Sequence, residues 1–184
     1  MIGSFAVRVL ALLLALFQAL PAFGSPETAQ EAEVMNALMG WAVKLSPYPA
    51  PDKQPTVEFV PQEFFDAHAC GGRHCHVWGW YPNTGHDVVY VRDDIRALIE
   101  DGSDPRSLLA ASIIVHEFVH YLQAAHRGFA PYDCKQALDL EREAYYAQAA
   151  YLQSYGRYLP VGVSMHTSNC AGSASHEVAA NPSP

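Results

Sequence analysis

Apolar positions recur along this chain at two spacings, and each change of spacing marks an element. From Glu27 to Leu45, the residues Ala32, Met35, Leu38, Met39, Ala42 and Val43 form one stripe at helical period. Pro47 and Pro49 end that helix, and Ser46 to Pro55 is a proline-rich loop. Thr56 to Val60 alternates and predicts a strand, and Pro61 to Ala69 a short helix opened by proline. His76 to Tyr81 predicts a second strand. After the turn residues Pro82-Asn83-Thr84-Gly85, His86 to Val91 predicts a third, paired with the second as a hairpin. Pro105 to about His126 is a long helix. Gly128 to Asp133 is a loop, and Cys134 to Tyr155 is another long helix ended by Gly156. The joining loop is short, so these two helices are expected to run antiparallel. From Ala171 the chain turns small and polar, which predicts a disordered tail over 171–184. No internal repeat is seen. The expected fold class is α+β: one domain with a small antiparallel or mixed sheet packed on two long helices.

Composition narrows the setting. Half of the 184 residues are apolar and the net charge is -8, which fits a globular chain and argues against nucleic acid as a partner. Met1 to Arg8 is weakly positive, and an apolar run follows from Val9 to Phe17. Ala22-Phe23-Gly24 then offers small residues for cleavage near Gly24/Ser25. The run is shorter than the roughly 20 residues a spanning helix needs. The expectation is a removed signal peptide over 1–24, a mature domain over 25–170, no membrane anchor after cleavage, and a periplasmic or secreted protein. Export makes the four cysteines disulfide candidates, with Cys70–Cys75 and Cys134–Cys170 the favoured pairing.

The candidate chemistry lies in Ile113 to Gln123, IIVHEFVHYLQ, where two histidines and a glutamate interrupt an apolar helix. Buried polar groups need partners. His116 and His120 stand one turn apart on the same face, so two imidazole nitrogens can reach one metal ion. Glu117 lies about 100° round the helix, beside such an ion and not aimed at it, where a general base can take a proton from water. His116-Glu117-x-x-His120 is the H-E-x-x-H pattern of the zincins, and the expected cofactor is Zn2+.

A catalytic zinc site takes three protein ligands. The residue of the second long helix that faces His120 should fall near 140 to 144, which holds Glu141 and Glu143. Glu141 is centred on the apolar face, among Ala137, Leu138, Ala144 and Tyr145. Glu143 falls on the polar side, near Asp139 and Gln136. Glu141 is therefore the preferred third ligand and Glu143 the alternative. Failing a metal, Glu141 would need an arginine.

Residues 105 to 152, with His116-Glu117-Phe118-Val119-His120 and then Glu141-Arg142-Glu143-Ala144-Tyr145, resemble the gluzincin metallopeptidases. The resemblance implies a zincin-like fold, a zinc-dependent hydrolase, and a peptide or protein substrate. In several such families an Asp or Asn four residues after the glutamate ligand braces the first histidine. Tyr145 stands there instead and could act through its hydroxyl. The resemblance also implies that a strand placed like Asp87 to Val91 is the edge that binds an extended peptide.

Other residues compete for roles. His126 completes H-E-x-x-H-x-x-x-x-x-H, the metzincin spacing, and Val163-Ser164-Met165-His166 resembles the metzincin Met-turn. Metzincins turn at a glycine where this chain has Gln123. His68, Cys70, His74, Cys75 and His76 form a second His/Cys group, with a structural zinc as one reading and a disulfide as the other. Trp78, Trp80 and Tyr81 could wall a substrate site. Tyr121, Tyr145 and His166 are candidate oxyanion donors. The reading from another class is a zincin fold without turnover, serving as a binding or structural protein.

Overall fold

The computed structural model describes residues 29–82, 84–128 and 132–170. The expected signal peptide and the expected tail lie outside the described residues. The sheet, the core and the two longest helices all lie in one compact unit that begins at Glu33.

The fold is mixed α+β, with six helices and a small three-stranded mixed sheet among the described residues. Helix α1 (Ala29–Leu45) buries Met35, Leu38, Met39 and Ala42, the stripe its period implies. Strand β1 (Thr56–Val60) and helix α2 (Gln62–His68) follow. Pro61 stands just outside the helix, in extended conformation. Strand β2 is only Gly79–Trp80, and β3 is Val88–Arg92. The sheet order is β1-β3-β2: β3 pairs parallel with β1 and antiparallel with β2. The hairpin is thus present, but β3 is central and β2 is an edge. That corrects the expectation that the strand from Asp87 to Val91 is the edge. Val89 and Val91 on β3 are fully buried, as a strand flanked on both sides requires.

Helix α3 (Asp93–Glu100) is not among the elements expected from the sequence. It starts directly where β3 ends, with no turn residue between, yet Ile95, Leu98 and Ile99 keep helical spacing and pack on the core. Helix α4 (Ser107–Arg127) is the spine of the molecule. By length and composition it could cross a membrane, but most of it is buried inside the protein. Ile114, Val115, Phe118, Val119 and Leu122 are wholly enclosed. A helix apolar all round needs neighbours on every side, and α1, α3, the sheet and α5 supply them.

Helix α5 (Cys134–Ser154) opens with a capping box. The Asp133 carboxylate accepts from the Gln136 N–H, and the Gln136 side chain accepts from the Asp133 N–H. It runs antiparallel to α4: Gln123 meets Leu140, and Ser112 meets Gln148. A short helix α6 (Val163–Thr167) follows. Both expected disulfides, Cys70–Cys75 and Cys134–Cys170, are formed. They fit a protein of an oxidising, extracytoplasmic compartment.

Candidate metal centre

Helix α4 presents His116 and Glu117 as buried side chains in a nearly apolar helix. His116 and His120 lie on one face, with their Nε2 atoms 3.0 Å apart. Helix α5 crosses that face and delivers Glu141. Its Oε2 lies 3.5 Å from His116 Nε2 and its Oε1 lies 3.4 Å from His120 Nε2. The three ligating atoms all fall within 4.8 Å of one another, so the group could hold a metal ion. Ligands held at about 2.0–2.1 Å around a tetrahedral ion stand roughly 3.3 Å from one another. The donor set fits on both spacing and chemistry: two imidazoles and one carboxylate. Among the described residues Glu141 pairs with the histidines and with no arginine.

The group forms the floor of a cleft of about 620 Å³ between the two long helices and the segment carrying β2. Glu117 points to the β2 side. Its carboxylate accepts a hydrogen bond from the Tyr81 backbone N–H and lies against Gly79. A Cβ on Gly79 would stand 2.7 Å from Glu117 Cγ and from Oε1. Only glycine leaves room for this carboxylate.

The electrostatics follow from crowding and burial. Burial pushes the Glu117 carboxyl up, His116 and His120 pull it down, and the Glu141 charge pushes it up again; the net shift is upward. Burial also opposes the Glu141 carboxylate, but hydrogen bonds and charge from both histidines hold it well below the usual range. For His120, burial lowers the pKa while the hydrogen bond and charge of Glu141 raise it, with a net rise to about 9.

No family model, no curated protein and no solved structure matches this chain.

Several candidate residues stand elsewhere. Helix α4 runs unbroken to Arg127, so the chain makes no turn at Gln123. His126 is therefore carried away from the centre. It is exposed, stacked on Tyr48, with Nε2 3.3 Å from the Pro49 carbonyl. His126 is therefore not part of the ligand group among the described residues. Glu143 is also outside the group, and it is not on a free polar face either. It accepts from Tyr48 Oη (2.7 Å), Arg127 Nη2 (2.7 Å) and Gln123 Nε2 (3.1 Å). His166 is exposed on α6 and does not line the cleft. Tyr121 donates to the Lys53 carbonyl and lies outside the cleft lining.

Tyr145 does reach the centre, in a different manner from the expected one. Its ring packs edge-on against His116 at 4.4 Å between centroids. His116 Nδ1 stays buried without a hydrogen-bond partner, so the hydroxyl of Tyr145 does not brace it. In the second His/Cys group the cysteines are consumed by their disulfide. His74 pairs with Asp66 at 2.9 Å, and His68 packs on Phe64. Among the described residues His116, His120 and Glu141 are the only such ligand group. Of that second cluster's histidines only His76 reaches the cleft, where Trp78, Trp80 and Tyr81 line the wall.

Two residues of the site are easily passed over in the sequence. Gly79, a lone glycine between two tryptophans on a strand, signals a close approach. Gln123 sits three residues after His120 in an apolar helix, which signals a buried amide with fixed partners.

Proposed function

We propose that the chain is an exported zinc-dependent hydrolase of zincin type that cleaves peptide bonds. One observation carries the reading: His116, His120 and Glu141 converge on the floor of a cleft with Glu117 buried beside them but outside the ligand group. A purely structural metal has no use for a buried carboxylate at that position, because an unpaired buried charge is costly. The gluzincin resemblance and the two disulfides support the same reading, the disulfides by fitting export.

His116, His120 and Glu141 would hold the ion. Zinc, when bound, supplies Lewis acidity that acidifies water and polarises a carbonyl. Glu117, its carboxyl raised by burial, accepts the proton of the attacking water and returns it to the leaving amine. Gly79 and the Tyr81 N–H hold that carboxylate in place. The Tyr145 hydroxyl is kept protonated, first by burial and then by the charges of Glu141 and Glu117, so it can donate to a developing oxyanion. Strand β2 borders the cleft as a sheet edge, where an extended peptide can add as a further strand.

The test has two parts. Elemental analysis of the mature protein, purified without chelator, should give about one zinc per chain. No zinc, and none regained on addition, returns His116 and His120 to the role of core histidines. Glu117→Gln should then keep its zinc and lose turnover of a peptide substrate by a factor on the order of 10²–10⁴. Retained turnover would remove Glu117 as the base.

A further inference from the structure

The two candidate imidazole ligands are held very differently. His116 has no partner at Nδ1. His120 Nδ1 lies 2.8 Å from Gln123 Oε1. Gln123 is 2% exposed, so this amide is deep in the protein and every hydrogen bond it makes is decisive. Its Nε2 donates to the Leu140 carbonyl at 2.9 Å and to Glu143 Oε2 at 3.1 Å. Both of those partners are pure acceptors, so the nitrogen of the amide has to face them. That fixes the orientation of the amide. Oε1 faces His120 and can only accept, so His120 carries its proton on Nδ1. In the neutral ring that a metal ion requires, the lone pair is then left on Nε2, on the side of His116 and Glu141.

Glu143 is itself tied from outside. Oε2 also accepts from the Tyr48 hydroxyl at 2.7 Å, Oε1 accepts from Arg127 Nη2 at 2.7 Å, and Arg127 Nε donates to the Tyr48 oxygen at 2.7 Å. Tyr48 comes from the loop after α1, Arg127 from the last turn of α4, and Glu143 from α5. Two other segments thus converge to orient the Glu143 carboxylate, which orients one amide, which orients one histidine.

We propose that Gln123 is a positioning residue for metal binding, and that Glu143, Tyr48 and Arg127 act through it to fix the tautomer and ring direction of His120. The proposal rests on the zinc-hydrolase reading. It also assigns Glu143 a place at the centre that is not ligation. An outer partner of a metal-bound histidine typically carries 10–100-fold in affinity.

The experiment uses the full mature chain and two variants, Gln123→Leu and Glu143→Gln. Zinc affinity is measured by competition with a chromophoric chelator. Co2+ is then substituted, and its visible absorption bands report ligand geometry. Circular dichroism checks the fold. Gln123→Leu should bind zinc about 10–100-fold more weakly and shift the cobalt bands. Glu143→Gln should move both readouts in the same direction by less. A loss of stability alone would lower the melting temperature and leave the cobalt spectrum of the folded protein unchanged, which overturns the proposal. So does a folded Gln123→Leu with wild-type affinity and spectrum. If Gln123→Leu does not fold, Glu143→Gln decides by the same two readouts. Wild-type protein that takes up neither ion removes the metal reading and this proposal together. Wild type that binds, with variants that do not differ from it, removes only the positioning role.

Discussion

At the scale of single residues, Gly79 matters through the side chain it lacks. The Glu117 side chain, through Cγ and its carboxylate, occupies the space a methyl group would take. Gly79→Ala should therefore displace Glu117 while the ligands on α4 and α5 stay where they are. On the proposed hydrolase reading, the expected result is a folded protein with undiminished zinc affinity and at least about tenfold lower turnover, since misplacement of a general base is costly. Parallel zinc titration and rate measurements on that variant check it. Full activity in Gly79→Ala would mean that Glu117 has slack and is not held as described. Gly162 is a related case. It adopts φ 66° and lies against the Tyr145 ring, so a side chain there would be strained twice over.

At the scale of elements, the centre is the crossing of α4 and α5, and the segment after α5 secures that crossing from outside. Residues 156–170 turn back over α5. There Arg142 donates to the carbonyls of Met165 and Ser168, and Cys134–Cys170 closes the segment onto the start of the helix. The two disulfides should differ in weight. Cys134–Cys170 spans a separation of 36 residues, and the chain-entropy model gives it about 3–4 kcal/mol. Cys70–Cys75 spans 5, for about 2 kcal/mol. Paired Cys→Ser replacements followed by urea denaturation check this: the 134/170 pair should lower the midpoint more. Because the same segment supports Tyr145, that variant should also lose activity under conditions where it remains folded. An equal or reversed order of midpoints would show that chain entropy does not set the effect.

At the scale of the whole molecule, the centre links stability to pH and, on the proposed zinc reading, to metal. His120 is raised from its ordinary 6.5 to about 9, with burial opposing and the Glu141 hydrogen bond and charge prevailing. A raised histidine contributes its full stability below the unfolded value and loses it as pH climbs through the folded one. Glu141 is depressed from 4.5, so its share is present above that value and is lost only in stronger acid. Metal-free protein should thus lose stability between about pH 6.5 and pH 9. A divalent ion needs His120 neutral and displaces that proton, so metal binding tightens over the same window. The gap in melting temperature with and without saturating zinc should widen from pH 6.5 to pH 9. Calorimetry across that range measures it, and a gap that stays constant would contradict the coupling of His120 to Glu141.

Much of this protein was legible in its sequence wherever the signal is local. The period of apolar residues marked α1, α4 and α5, and the i, i+4 spacing put His116 and His120 on one face. The apolar surroundings of Glu141 turned it toward α4. Cysteine number and spacing led to the disulfide pairing. Each of these depends on residues within a few turns of one another, or on a helix pair joined by a short loop. Tertiary structure alone decided the rest. It paired β1 in parallel with β3 and left β2 at the edge, because strand order depends on which segments meet across long separations. It drew Glu143 out of its apparent polar face to Arg127, Tyr48 and Gln123. It left His116 Nδ1 without a partner and set the Tyr145 ring against it. It pressed Gly79 onto Glu117. Periodicity names the face a side chain occupies; only packing names the neighbour it meets there.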